Sequence, residues 1–185
     1  MTVGGLLDEF YKKNGIPKDG GIDDKTFEFK VFGIKLNLPN PKFRRDALHI
    51  HDIQHVLNNC DTSWKGEGFI SGWEISTGMG KYFPLGLLSL WAFGYGLWIY
   101  PKAVFNGFKK GLNNIGIIEL KLSKTDFMKM TFAELKEVTK KDNKITMGTL
   151  QWIRFLFWSL LSQVLLFFPL ILTSIIFIYL FKSFI

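Results

Sequence analysis

The sequence predicts a mainly α protein: a helical metal-binding domain with a small N-terminal β-hairpin, followed by a C-terminal transmembrane helix. Three observations carry that reading. Between Arg154 and Lys182 lie 27 residues without a charge, which at helical rise reach about 40 Å, more than the roughly 30 Å of a bilayer core. Upstream, apolar residues recur mainly at helical spacing, whereas Thr26 to Leu38 alternates residue by residue. With 185 residues the chain has room for one domain and one appendage. The domain is placed at 1–148, with the hairpin at 26–38, and the membrane anchor at 149–185.

Taken in order, Leu6 to Lys13 puts Leu6, Leu7 and Phe10 on one side of a short helix that Asn14-Gly15 and Pro17 bring to an end. Lys18-Asp19-Gly20-Gly21 is turn chemistry. In the hairpin, Phe27, Phe29 and Val31 face one way, and Ile34, Leu36 and Leu38 resume the pattern beyond a turn near Gly33. Covering the core is its expected role, with no part in chemistry. Asn40-Pro41 reads as an N-cap and a first helical proline, starting a helix at about residue 41. Asn58-Asn59 ends that helix, and Asp61-Thr62-Ser63 caps the next. Phe83 to Tyr100 is a second uncharged stretch of 18 residues, enough to raise the question of another span. Met128, Phe132, Leu135 and Val138 are the apolar positions of a surface helix expected over 127–141. The tail is apolar on every side, which in so small a protein suits lipid better than a protein core, and Pro169 is a place for a kink.

The candidate site is His51-Asp52-Ile53-Gln54-His55, followed after eleven residues by Glu67. On a helix His51 and His55 lie one turn apart on one face, and Asp52, offset by about 100°, flanks the same edge. Eleven residues are enough for the helix to end, turn and begin a second helix that returns Glu67 to the first. Imidazoles and carboxylates together suit a borderline or hard divalent cation, zinc foremost, with iron, manganese and cobalt as alternatives. Zinc peptidases of the H-E-x-x-H type carry a glutamate base after the first His; Asp52 stands there, and its shorter side chain reads as a ligand or an orienting group. Glu74, seven residues beyond Glu67, shares its face and is a candidate for supporting a ligand or handling a proton. His49 is expected in solvent or core, and the single cysteine, Cys60, in a partly buried turn.

The pattern His-Asp-x-x-His-x11-Glu continues through Val56-Leu57, Thr62, Gly66-Glu67 and Trp73-Glu74 to the Gly/Pro-broken apolar stretch at Gly80 to Gly86. It resembles the metal-site signature of the coenzyme Q biosynthesis protein four family, over about residues 40 to 135. The resemblance implies a mostly helical, membrane-seated protein that binds a divalent metal through His51, Asp52, His55 and Glu67 and holds an isoprenoid tail between helices. It implies a part in removing the ring carboxylate and hydroxylating that carbon during ubiquinone synthesis, or in organising the other enzymes. By the same resemblance, 83–100 belongs to the domain and does not cross the bilayer.

Composition narrows the partners. Apolar residues make up 48% of the chain, with 19 Phe and 6 Trp, and 23 basic residues stand against 16 acidic ones, dispersed among apolar runs. This suits an anionic membrane surface and argues against nucleic acid. Lys136, Lys140, Lys141 and Lys144 precede the tail and Lys182 follows it, so the domain is expected on the cytoplasmic side of a single-pass anchor. Three functions compete: a metal-dependent enzyme acting on the ring of a prenylated quinone precursor, a non-catalytic lipid-binding scaffold with a structural metal, and, last, a metallopeptidase. Expected partners are membrane lipid or an isoprenoid substrate, and other quinone-biosynthesis proteins.

Overall fold

The computed structural model describes residues 1–31 and 33–182. Phe32 of the expected hairpin turn, the side chains of Phe29 and Val31, and residues 183–185 of the expected anchor lie outside that description.

Local chemistry sets most helix limits. α1 (Val3–Asn14) begins where the Thr2 hydroxyl accepts from the Gly5 N–H and stops at Gly15, whose φ of 65° suits a residue without a Cβ. β1 (Thr26–Val31) and β2 (Ile34–Pro39) pair antiparallel, Phe27 opposite Leu38 and Val31 opposite Ile34, as the alternation requires. α2 (Lys42–Asn58) ends on Asn59, and the Ser63 hydroxyl caps α3 (Trp64–Thr77). There follow α4 (Leu85–Ile99), α5 (Pro101–Gly111), α6 (Lys124–Lys129), α7 (Phe132–Val138) and α8 (Thr149–Lys182).

Three expectations are corrected. α2 starts one residue late, because the Asn40 amide donates to the carbonyls of Gly21 and Asp24 and its oxygen accepts from Arg44. Asn40 thus ties the hairpin to the helix, and Pro41 takes the N-cap position. The helix expected over 127–141 is two, α6 and α7, broken at Met130; Ser123 with Asp126, and Thr131 with Glu134, each form a capping box that opens a new helix. The segment after Tyr100, read only for its lysines, is a full helix, with Pro101 in its first turn.

α3 is the centre of the domain, buried along nearly its whole length. Its Trp73 joins a core with Val3, Leu7, Ile53, Phe127 and Leu135, while Ile75, two residues on, joins a second core with Leu90, Phe93, Val104, Phe108 and Phe155. Each fully buried Phe among these contributes about 1.5–3 kcal/mol relative to exposure. Between α3 and α5 the backbones themselves meet: a Cβ on Gly72 would strike the Val104 carbonyl, and one on Gly107 the Phe69 carbonyl. The position of α3 against α5 is therefore set by main chain, which cannot repack as side chains do.

α8 is one helix of 34 residues running through Pro169, long and apolar enough to cross a membrane. Its first half is part of the domain. Phe155 packs against Phe93 and Phe108 with ring centroids 5.8 and 5.1 Å apart. Gly94 approaches so closely that an added Cβ would lie 2.9 Å from the Ser162 carbonyl oxygen. Gln163 accepts from the Trp98 indole N–H at 2.7 Å and donates to the Gly94 carbonyl at 3.2 Å. From Phe167 to Lys182 every residue is exposed. α4, with 15 residues, is about 22 Å long, short of a bilayer core, and packs among α3, α5 and α8.

Candidate metal centre

α2 sets His51 and His55 one turn apart, and the reversal from Asn59 to Ser63 brings Glu67, in the first turn of α3, against both. The Nε2 atoms of the two imidazoles lie 3.1 Å apart. Glu67 Oε2 is 3.4 Å from His51 Nε2, and Glu67 Oε1 is 3.4 Å from His55 Nε2. Each imidazole thus meets a different Glu67 oxygen, and one donor atom from each of the three residues lies within 4.8 Å of the other two. His51, His55 and Glu67 form a group that can hold a metal ion.

The electrostatics show what the cluster does with protons. Burial works to lower the His51 pKa, but hydrogen bonds to Glu67 and Glu74 outweigh it and hold the imidazole well above its ordinary value. Burial likewise opposes ionisation of Glu67, and the adjacent His55 and His51 nevertheless hold its carboxyl far below the carboxylate range. The donor set thus favours positive charge between Glu67 and the ring nitrogens, the charge a divalent cation brings.

The remaining predicted residues fall into distinct places. Asp52 is not among the three convergent donors: buried and turned toward α1, its Oδ2 accepts from the Tyr11 hydroxyl at 2.8 Å. The offset from His51 around the helix explains this, since it brings Asp52 to the α1 side, where Tyr11 supplies a partner. Burial raises the Asp52 pKa, and burial with the Asp52 charge pushes the Tyr11 hydroxyl up as well. Glu74 stands behind His51, its Oε1 3.2 Å from Nδ1. A carboxylate at Nδ1 is the usual support of a metal-binding imidazole, since a proton held there lets Nε2 be the ligand when a metal displaces the proton on that side. His49 lies outside the cluster, half-buried, and burial lowers its pKa. Cys60 sits in the turn after α2, and burial pushes its thiol up to about 11.

A cavity of about 660 Å³ opens beside the cluster, with His51, Glu67 and Glu74 in its wall. Most of the rest is apolar: Leu48, Leu88 and Trp91 from the helices, and Phe27, Leu36 and Leu38 from the hairpin. The hairpin expected only to cover the core therefore builds the site. Its alternation showed which side chains share a face, not what that face meets. Arg44 is the only Lys or Arg among the described lining residues; its guanidinium stacks 3.8 Å from the Phe27 ring centroid while Nη1 donates to Asn40. Sequence reasoning passed over Arg44, although it stands seven residues, two helical turns, before His51. No protein-family model, curated protein or solved structure matches this chain.

Proposed function

We propose that this chain is a membrane-anchored, metal-dependent enzyme of quinone synthesis that acts on the ring of a prenylated precursor, in removal of the ring carboxylate as CO2 and hydroxylation at that carbon, with dioxygen as the co-reactant that supplies the oxygen atom and the two oxidising equivalents. The observation that carries the proposal is the convergence of His51, His55 and Glu67, two of which, His51 and Glu67, stand in the wall of a largely apolar cavity that also holds one guanidinium. The motif's resemblance to the coenzyme Q biosynthesis protein four family supplies the reaction. In this reading α8 serves as the anchor, and the excess of lysines before it over the one after it supports a cytoplasmic domain.

A divalent cation, zinc foremost, supplies Lewis acidity at a substrate oxygen when bound. The chain's own residues do the rest. Three protein donors leave a place for a further ligand, as in catalytic sites. Glu74 holds the His51 ring in the tautomer that presents Nε2. Arg44 attracts the acidic group of the substrate, and its stacking on Phe27 fixes the direction of the guanidinium. Apolar walls displace water from the ring and its tail.

The test is metal content and product together. Purified wild type should carry about one equivalent of metal and His55→Ala less than about a tenth of that, with the fold retained. In a host lacking this step, wild type should consume the carboxylated precursor in membranes and His55→Ala should let it accumulate. Equal metal in the two proteins would remove the ground for the proposal. Metal present in wild type with precursor untouched would leave a scaffold with a structural metal.

A further inference from the structure

Resting on the anchor reading of α8, we infer that the corner between α4 and α5 is a foot that seats the domain on the bilayer: Trp98, Tyr100 and Lys102 occupy the lipid headgroup layer. The path of α4 along α8 gives the first argument. Gly80, just before α4, lies against Trp158, Gly94 lies against Ser162, and Trp98 packs edge-on to Phe167 with ring centroids 6.2 Å apart. α5 then turns back, stacking Phe105 on Trp152 at 5.2 Å and packing Phe108 against Phe155. The corner is therefore the part of the domain that reaches furthest toward the uncovered length of α8.

The register of α8 gives the second argument. Counting back from Lys182, the charge at the far end, about 20 residues of helix span a bilayer core and bring the near boundary to about Gln163. Gln163 is the residue that Trp98 grips through its indole N–H. The chemistry of the corner fits that level. Trp98 is 64% exposed and Tyr100 42% exposed, amphipathic rings of the kind that collect at membrane interfaces, and Lys102 beside them offers a cation to lipid phosphate. The exposed apolar surface of α8 continues from the corner into the proposed span without a break, so lipid is the occupant that covers both.

The foot is tested on the full-length chain in phosphatidylcholine and phosphatidylglycerol vesicles, with a Cys60→Ser background and an environment-sensitive fluorophore on one introduced cysteine. Tyr100→Cys reports the foot, Ile176→Cys the anchor and Lys129→Cys the distant surface of α6. Spin-labelled lipid should quench positions 100 and 176, with a label near the headgroup stronger than a mid-bilayer label at 100 and the reverse at 176. Aqueous iodide should quench position 129 alone. Quenching of 100 by iodide to the level of 129, with 176 still in lipid, would overturn the foot and leave the anchor standing. Quenching of 176 by iodide would overturn the anchor and the foot with it.

Discussion

Two stretches of this protein are equally free of charge and meet opposite surroundings. α4 carries Gly86, Ser89, Gly94 and Gly96 on its buried faces, and three other helices come close against it. The part of α8 beyond Leu166 has no glycine; Leu, Ile and Phe project on every side, and all of it is exposed. Thr173 and Ser174 donate back to the carbonyls of Pro169 and Leu170, so the helix itself satisfies the hydroxyls in the middle of this stretch, and Tyr179 and Lys182 stand near its far end. What separates a helix packed in protein from one suited to lipid is therefore not its apolarity but its small residues, which let other backbones approach.

The comparison can be broken most severely by deletion. Removing 167–185 should leave a folded domain that alkaline carbonate extracts from membranes, since the uncharged helix left, about 18 Å long, is too short to span. Removing 149–185 also takes away Phe155, Trp158 and Ser162 and uncovers Phe93 and Phe108, so that product should sediment as aggregate. If both truncated chains behave alike in sedimentation, the division of α8 at its middle is wrong.

A smaller effect is expected from Gly94→Leu, which forces side-chain volume against the Ser162 backbone and should cost about 1–3 kcal/mol, read as a lower melting temperature in detergent. The paired control, Ile176→Leu in the exposed half, should shift stability by less than about 0.5 kcal/mol. Smaller still, Gln163→Leu removes the acceptor for Trp98 and the donor to Gly94; a loss of about 1 kcal/mol is expected, with Trp98 emission changed. A Gln163→Leu protein indistinguishable from wild type in both would mean that the grip between α4 and α8 comes from shape alone.

Helix ends, the hairpin and the apolar tail were legible because each is written locally, in a cap, an alternation or a run. The break between α6 and α7 was legible too, in Thr131-x-x-Glu134, but the apolar spacing across it reads as continuous. The three metal donors followed from helical geometry, while the engagement of Asp52 with Tyr11 did not, because 41 residues separate them and only the docking of α1 joins them. The same holds for the hairpin over the cavity and for the first half of α8. Apolarity announced that half as anchor, yet Phe93, Phe105 and Phe108, which claim it for the domain, lie far away in sequence.

The backbone-to-backbone seam between α3 and α5 has a consequence for scale. Glu67 and Glu74 ride on α3, α3 is locked against α5, and α5 and α4 are both packed on α8. With α8 set in a bilayer, that chain of contacts acts as a ruler, holding the donor atoms at one height above the lipid.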